Sequence, residues 1–473
     1  MSESSRKLIT QFFQFFTGTF IAALFSGITV PIIIWFISPE ELGKATMYQT
    51  TLILVSTFTL LGYDRAYLRE YSSYKKLNQE SELLYSSILI PLLFGLIIMM
   101  ISYAFQNELS YLLFGERESE FIMLIVLSNI LMVVLNFSKL NIRLEENGKI
   151  YAILIIFEKL SILVFVIIFL MYLGRNFGSI IAAYFCSLLA TTSVGLVLSW
   201  KHWKKYVKPT KLIVQKLSKY GIPYVPAIIG AKLLHSTDKY ALRIWADFEQ
   251  IGLYSLALSI VMIIGIIEAS FSNFWTPISY RWFESKVDNN KFSKLGNIIM
   301  TVMVISFVVL VVSLNFILKF FPEEYHGVSL IVPFLLIMVI METVTLITGL
   351  GINFYKKTKF HSIILFIIIP INLFGNFILV PKQGALGAAI STGISFIILF
   401  WLKTIISRKL WFNFKMNHFF YNTVLVILFS WFITVSVPFL VFLVIIAVLI
   451  VNKQELSSIF MFIKNKGDYK ITE

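Results

Sequence analysis

Charged residues are scarce in this sequence. Asp, Glu, Lys and Arg make up only 14% of its 473 residues, whereas 58% are hydrophobic and the mean hydropathy is +0.82. A soluble domain has about 25% charged residues, so this composition excludes a soluble globular protein. Uncharged runs of about 20 residues, the length that crosses a hydrocarbon core, recur along the whole chain. The sequence therefore predicts an all-α polytopic membrane protein.

Cysteine and catalytic motifs are also nearly absent. The single cysteine, Cys186, lies inside an apolar run and excludes an internal disulfide framework. The sequence contains no phosphate-binding loop, no HExxH zinc motif and no cysteine cluster. The longest polar connection, residues 201–219, is too short for a catalytic domain. We therefore expect no enzymatic activity, no metal and no cofactor. Any transport by such a chain would have to be driven by an ion gradient, the membrane potential or the substrate's own gradient, because no nucleotide-binding motif is present.

Fourteen candidate spans follow from the uncharged segments. Residues 416–452 carry no charged side chain, and a single helix of that length would measure about 55 Å, too long for one crossing. We therefore expect Pro438 to mark the turn between two short spans. The spans begin near Phe12, Ala45, Leu83, Phe121, Tyr151, Ile180, Ile222, Ile251, Ile298, Val328, Phe360, Ala385, Phe419 and Pro438.

Lysine and arginine are distributed unequally over the predicted loops. About 31 of the 40 lie on the side of the N-terminus, about 7 on the other side and two within spans. The positive-inside rule then places both termini in the cytoplasm. The same asymmetry explains the net charge of +14 without a nucleic-acid partner. Residues 1–7 are polar and lead straight into an apolar stretch without a small-residue cleavage site, so we expect no removable signal peptide.

Two short motifs occur twice in the chain. The segment PEELG at 39–43 resembles FEQIG at 248–252, an offset of 209, and GSIIAA at 178–183 resembles GALGAA at 384–389, an offset of 206. The similar offsets indicate a duplication of six spans. Because six is even, the two lobes would be related by a pseudo-twofold axis along the membrane normal. The predicted domains are a six-helix lobe at 1–205, a second at 206–412, and a C-terminal helical hairpin with a cytoplasmic tail at 413–473.

Charged residues inside the spans are the candidate functional residues, since a Lys or Arg at the bilayer centre costs about 2.5–3.5 kcal/mol. The seventh span carries Lys232, His235, Lys239 and Arg243. A continuous helix would place these four bases on one narrow face, with Asp238 pointing away. We interpret the face as the wall of a water-filled, positively charged cavity for an anionic substrate.

Other spans contain further candidates. Arg65 and Arg69 share a face in the inner third of the second span, and Lys159 lies in the middle of the fifth. We also consider the alternative that these charges form structural pairs, such as Lys232 with Glu268. His235 could carry a coupling proton, although a polar helix contact is the favoured interpretation. The candidates for ion coupling or charge pairing are Asp64, Glu158, His235, Asp238, Glu268 and Glu342.

Several segments resemble a known family. ISPEELG at 37–43, followed one helix later by LGYDRAYLREY at 61–71, resembles the opening of bacterial polysaccharide biosynthesis proteins. These are the O-antigen flippase type of the multidrug/oligosaccharidyl-lipid/polysaccharide exporter superfamily. YGIPYVP at 220–226 with STDKY at 236–240 resembles the start of that family's second half, and GALGAA at 384–389 resembles its twelfth span.

The resemblance implies two lobes around a central cavity, alternating access and a location in the bacterial cytoplasmic membrane. It implies that a polyprenyl-pyrophosphate-linked oligosaccharide is moved from the inner to the outer leaflet for a surface polysaccharide, such as lipopolysaccharide or capsule. Membrane lipid and a polysaccharide polymerase would be further partners. The residues expected to attract the pyrophosphate and anionic sugars are Arg65, Lys159, Lys232, Lys239 and Arg243.

Two alternatives remain open at this point. An ion-coupled drug exporter of the same superfamily would usually have twelve spans and an acidic cavity. A membrane glycosyltransferase or polysaccharide polymerase would normally need a large outer loop or an acidic catalytic motif.

The charge asymmetry makes a topology prediction. We expect Met1, residues 201–219 and Glu473 to be cytoplasmic, with Glu323 and Lys382 outside. Cysteine labelling from the outside should modify a probe at position 382 and leave a probe at position 205 unmodified. The reverse labelling pattern would overturn the orientation.

Overall fold

The fold is described by a computed structural model that covers residues 18, 21–22, 24–75, 79–145 and 147–464. All regular secondary structure within these residues is helical, which confirms the predicted all-α class. Met1, Phe12 and Glu473, used in the span and topology predictions, lie outside the described residues.

Packing divides the chain into two units. Unit 1 comprises Met1–Arg243 and Asp247–Gly252, and unit 2 comprises Ile244–Ala246 and Leu253–Glu473. The seventh predicted span therefore packs with unit 1, although the sequence repeat assigns it to the second half. The domain boundaries at 205 and 412, and the pseudo-twofold axis, stay predictions about the repeat.

Unit 1 is built around α6, which packs against α2, α4 and α8, while α7 packs against α8. At one end of the unit, α3 and α10 pack on α4 around the buried rings of Tyr63, Tyr67 and Tyr71. Tyr67 donates a hydrogen bond to Asn141 of α6. The helices are α1 (Leu24–Phe36), α2 (Pro39–Leu60), α3 (Tyr63–Lys75), α4 (Glu80–Ala104), α5 (Gln106–Phe114), α6 (Ser119–Leu144), α7 (Gly148–Tyr172), α8 (Phe177–Leu198), α9 (Trp200–Trp203), α10 (Lys211–Gly221), α11 (Val225–Leu234) and α12 (Thr237–Trp245).

Unit 2 is built around α15, which is apolar on nearly all sides and packs against α14, α17 and α18. A helix with no polar face has to be enclosed by other helices, and this explains its central position. The helices are α13 (Phe248–Glu284), which begins in unit 1, α14 (Asn289–Leu318), α15 (Val328–Thr348), α16 (Leu350–Phe354), α17 (Lys359–Leu410), α18 (Asn417–Thr434), α19 (Pro438–Val451) and α20 (Lys453–Lys464).

The long helix α17 contains a break at Gly384, whose φ of 52° and ψ of −129° are not helical. Only glycine adopts such a conformation readily, because it has no Cβ. The break divides α17 into two segments of about 37 and 39 Å at 1.5 Å per residue, each long enough to cross a bilayer. Gly384 thus marks the start of the twelfth predicted span. The equivalent residue of the repeat, Gly178, lies at the start of α8, which is the sixth predicted span.

The C-terminal residues form α18 and α19, which are followed by α20, and Pro438 is the first residue of α19, where a turn between two spans was predicted. A buried polar group fastens them to α14. The Asn452 side chain accepts a hydrogen bond from Thr301 at 2.6 Å and donates one to Asn422 at 2.8 Å. Buried side-chain amides need such partners, so this network specifies how the hairpin docks on unit 2.

The predicted count of fourteen spans is not confirmed by helix length and hydropathy alone. Within the described residues, nine helices are long and apolar enough to cross a membrane, or ten if the bent pair α19 and α20 is one span. The other four predicted spans fall on α1, the polar-rich α2, the broken pair α11 and α12, and the second half of α17. A count based on helix length and hydropathy omits broken helices and threonine-rich segments, because it requires one continuous, uniformly apolar helix.

The duplicated PEELG and FEQIG motifs pack against each other within unit 1. A Cβ atom added at Gly43 would overlap the backbone carbonyl of Phe248, and one added at Gly252 would overlap that of Pro39. The contact is reciprocal, since Gly43 and Gly252 are equivalent positions of the repeat and so are Pro39 and Phe248. Glycine at both positions lets the two helix starts meet backbone to backbone.

This contact predicts that Gly43→Ala destabilises the protein by about 1–3 kcal/mol, because the helix starts must move apart to admit a methyl group. Gly27→Ala is the matched control, since a Cβ there would meet no atom within 4 Å. Because alanine is a better helix former than glycine by about 1 kcal/mol, the control should be neutral or slightly stabilising. Thermal unfolding of the purified variants measures both effects, and equal melting temperatures would contradict the prediction.

Candidate functional site

The seventh predicted span is broken in its middle. α11 ends at Leu234 and α12 begins at Thr237, with the Ser236 amide donating to the Leu233 carbonyl at 2.9 Å. The expectation of one continuous helix is therefore wrong. Ser236 and Thr237 explain the break, because their hydroxyls offer the backbone alternative hydrogen bonds, and Thr237 donates to the Leu234 carbonyl at 3.4 Å.

The break divides the basic residues of this span into two groups. Lys232 and His235 lie next to it and are exposed, whereas Lys239 and Arg243 lie on α12 and are partly buried. Asp238, whose residue exposure is only 2%, is buried inside the unit. The bases are thus more accessible than the neighbouring acid, which is the arrangement expected of a surface that attracts anions.

Arg243 is engaged by the protein itself. Its Nη2 donates a hydrogen bond to the Tyr111 carbonyl at 2.8 Å, and its guanidinium carbon lies 4.6 Å from the centre of the Phe248 ring. Tyr240, one turn earlier, forms a hydrogen bond of 3.1 Å with Thr51 of α2. These contacts hold α12 against unit 1, and a direct role of Arg243 in substrate binding stays a prediction.

Arg65 and Arg69 lie on α3 rather than in the inner third of the second span, because α2 ends at Leu60. The chain turns there through Gly62, whose φ is +72° and whose backbone packs directly on that of Gly221. Both arginine side chains are exposed. This close packing brings Tyr220 next to α3.

The acids beside these arginines neutralise them only in part. Arg65 forms an ion pair of 3.4 Å with Asp64. The guanidinium of Arg69 lies 4.2 Å from the Tyr220 ring centre and 3.9 Å from Glu70, whose carboxylate binds Lys216 at 2.5 Å. α3 therefore presents two exposed guanidinium groups, and that of Arg69 lies over an aromatic ring.

Glu158 lies between two lysines. Its carboxylate is 2.5 Å from the Lys139 ammonium and 3.7 Å from that of Lys159. Since two cations share one anion, the group carries a net positive charge when all three side chains are ionised. The predicted residues Glu158 and Lys159 thus lie together with Lys139, which is not among the predicted site residues.

Lys139 was missed because it was assigned to a loop. The structure places it on α6, which continues to Leu144. A signal was available in the sequence: the first strong helix-ending pair, Asn147-Gly148, comes eight residues after Lys139.

Glu268 and Glu342 lie in unit 2, on α13 and α15. Glu342 interacts electrostatically with Glu268 and with Lys403 of α17, a second lysine that the sequence analysis assigned to a loop. His361 interacts with Lys403 and forms a hydrogen bond of 2.8 Å with Asn353. Lys232 and Glu268 belong to different units, and the proposed pairing between them stays a prediction.

Unit 1 therefore carries basic residues on four segments, namely α3, α6, α7 and the seventh span, and we call this set the basic surface. A hydrated cation cannot face lipid without a large cost, so the exposed cations Arg65, Arg69 and Lys232 require water or an anionic ligand. Unit 2 instead combines acids with bases. Among the described residues, no group of three or more His, Cys, Asp or Glu side chains could hold a metal ion. The basic surface comprises Arg65, Arg69, Lys139, Lys159, Lys232 and His235.

Solved structures of membrane transporters share this fold. A lipid II flippase, MurJ, in an inward closed conformation matches with a TM-score of 0.73 at 17% identity, covering 94% of this chain and 98% of that one. An inward-facing multidrug resistance MATE family transporter of the MOP superfamily matches with a TM-score of 0.65 at 12% identity, over 82% and 93% of the two chains. An outward-facing one matches with a TM-score of 0.59 at 14% identity, over 86% and 96%. No curated protein sequence matches significantly.

The proteins named in these matches are a flippase and transporters. At such low identities they show the fold and leave the substrate open. The sequence itself also matches a family, described as polysaccharide biosynthesis protein, over residues 8–283, which is more than half of the chain. The chain therefore belongs to the polysaccharide biosynthesis protein family.

Proposed function

We propose that this protein is a flippase that moves a polyprenyl-pyrophosphate-linked oligosaccharide from the inner to the outer leaflet of the bacterial cytoplasmic membrane. The cargo is a repeat unit for a surface polysaccharide such as an O-antigen or a capsule. The observation that carries the proposal is the basic surface of unit 1, on which Arg65, Arg69 and Lys232 are exposed, on helices that belong to a membrane-embedded fold. The family membership and the fold of a lipid II flippase agree with it.

The chemistry of the basic surface suits a diphosphate. Guanidinium groups bind phosphate oxygens through two parallel hydrogen bonds, and ammonium groups attract them as compact charges. Arg65 and Arg69 offer the first kind of group, and Lys159 and Lys232 the second. The ring of Tyr220 beside Arg69 adds an apolar face suited to a sugar ring.

The direction of transport follows from topology. With both termini in the cytoplasm, α3 lies near the inner leaflet, where lipid-linked sugars are assembled, and Arg65 would be an early contact. Lys239 and Arg243, towards the opposite end of the seventh span, would be late contacts. In unit 2, Glu342 with Glu268 and Lys403 is our candidate for the site where a coupling ion acts.

Deleting the gene is expected to leave lipid-linked repeat units on the inner leaflet and to abolish the surface polysaccharide. Analysis of extracted lipid-linked glycans and of surface glycan measures both effects, with a strain carrying the restored gene as the control. A deletion strain with normal surface glycan, no redundant flippase and increased drug sensitivity would favour the drug exporter instead.

A lysine substitution separates a binding role from a structural one. Lys232 is exposed, so Lys232→Ala should leave protein abundance normal while transport falls about tenfold or more, since an attraction of about 1.4 kcal/mol corresponds to a factor of ten. The matched control for the charge change is Lys382→Ala, an exposed lysine on the predicted outer side, which should have no effect. Protein abundance and surface polysaccharide are measured for each variant.

The structural control is Lys44, whose side chain is only 8% exposed and lies 2.6 Å from Glu116 and 3.4 Å from Glu40. Lys44→Ala should lower protein abundance, because it strands carboxylates that the lysine had compensated. If Lys232→Ala behaved like Lys44→Ala, and removing Glu268 as well restored both abundance and transport, the binding role of Lys232 would be wrong.

A further inference from the structure

Residues 200–221, which connect α8 to α11 and contain α9 and α10, have an unusual charge. They include seven lysines and no acidic residue. The positive-inside rule requires an excess of positive charge on one side of the membrane, and the other inner segments already provide about 24 lysines and arginines. The density of lysine here exceeds what orientation alone needs.

The acids that surround this segment are already engaged. Glu145 accepts hydrogen bonds from Lys201 at 3.2 Å and from His202 at 3.0 Å. Burial raises the pKa of the Glu145 carboxyl, but Lys201 and His202 outweigh this effect and lower the pKa below its usual value, so the carboxylate stays ionised. Glu70 binds Lys216 in the same way.

Five lysines of the segment have no acidic partner among the residues that the structure describes, and each of them is exposed. We call them the lysine surface. They are Lys204, Lys205, Lys208, Lys211 and Lys219.

The segment is held rigidly against unit 1 rather than forming a loose loop. Ile213 and Leu217 of α10 are buried in the tyrosine cluster beneath it. The Tyr85 hydroxyl donates to the Trp203 carbonyl at 2.7 Å, and Thr210 binds the Glu82 carboxylate at 2.5 Å. The lysine surface is therefore displayed on a fixed platform.

Large apolar side chains project from the same segment into the surroundings. Trp200 is 59% exposed, Tyr206 is 70% exposed and Leu212 is 75% exposed. Leu212 lies next to Lys211 on α10, whose opposite face is buried. Lysines interleaved with exposed tryptophan, tyrosine and leucine are typical of segments that lie in the membrane interface.

The end of the preceding helix also indicates that the segment lies in the membrane interface. The spanning helix α8 ends at Leu198, two residues before Trp200. The segment therefore begins where the chain leaves the hydrocarbon core, at the depth of the lipid headgroups. Clusters of four to eight basic residues immediately beside a transmembrane helix attract anionic lipids.

We propose that residues 200–221 form a docking surface for the phosphate headgroups of anionic bilayer lipids, with phosphatidylglycerol as the test ligand. The lysine surface binds the headgroups, and Trp200, Tyr206 and Leu212 enter the boundary between headgroups and acyl chains. Charge complementarity selects this partner, since five exposed lysines without an acidic partner among the described residues lie on a segment that begins at the end of a spanning helix. The proposal is independent of the transported substrate.

The test uses the purified full-length protein. Native mass spectrometry counts the lipids that it retains when titrated with phosphatidylglycerol or phosphatidylcholine. The variant Lys204→Gln/Lys205→Gln/Lys208→Gln should retain phosphatidylglycerol at least about tenfold less tightly than the wild type, because each lysine near an anionic surface contributes about 1 kcal/mol, a factor of about five. Phosphatidylcholine binding should not change.

The matched control is Lys294→Gln/Lys357→Gln/Lys359→Gln, which removes three exposed lysines from the same predicted side of the membrane. It should bind phosphatidylglycerol like the wild type, and equal loss in both triple variants would overturn the proposal in favour of net charge. Added pyrophosphate should not displace the lipid, and displacement would indicate a site for free phosphate instead.

A second variant tests the apolar part of the surface. Leu212→Gln removes an exposed side chain without touching the buried face of α10, so the protein should fold normally, as checked by its melting temperature. Its retention of phosphatidylglycerol should fall several-fold. Unchanged retention in both this variant and the first triple variant would overturn the proposal.

Discussion

The cost of placing a charge in hydrocarbon governs the structure of this protein. Each ionised side chain within the helices needs an opposite charge, hydrogen bonds or water. Lys44 satisfies this requirement with two glutamates, and Glu158 satisfies it with two lysines. Where cations exceed anions, as around Lys232 and on α3, the surface has to meet water or an anion. The need of each charge for a partner therefore explains the ion pairs of the fold and also identifies the surface proposed to bind substrate.

Close packing of backbones places these charges. The backbones of Gly62 and Gly221 pack directly on each other, and this contact brings α3 and its Arg69 beside Tyr220. Gly43 and Gly252 make a second close approach, in which the two copies of a duplicated motif pack reciprocally. Helices in membranes approach most closely where side chains are smallest, because lipid provides no hydrophobic force to drive them together. The glycines that carry the family resemblance thus act through geometry rather than chemistry.

The roles of the charges selected from the sequence stay predictions, and the structure shows only where these charges lie. Glu158 and Lys159 form a charged cluster with Lys139, whereas Arg65 and Arg69 lie on α3 rather than in the second span. Lys139 and Lys403 were missed because a charge near the end of an apolar run resembles a loop residue, although both helices continue past it. The prediction that the bases of the seventh span share one narrow face assumes a continuous helix, whereas the structure has two helices, α11 and α12. Hydroxyl side chains that break a helix have no distinctive period, so the break after Leu234 was invisible in the pattern.

The sequence by itself determined the all-helical membrane class, the two-helix C-terminal hairpin and the family, because hydropathy, proline and short motifs act locally along the chain. Tertiary structure decided which packing unit holds the seventh span, which carboxylate each lysine meets and which bases remain exposed. These properties depend on contacts between residues far apart in sequence, such as Lys44 with Glu116 or Thr301 with Asn452. No local pattern encodes such distances, since they arise only when whole helices pack.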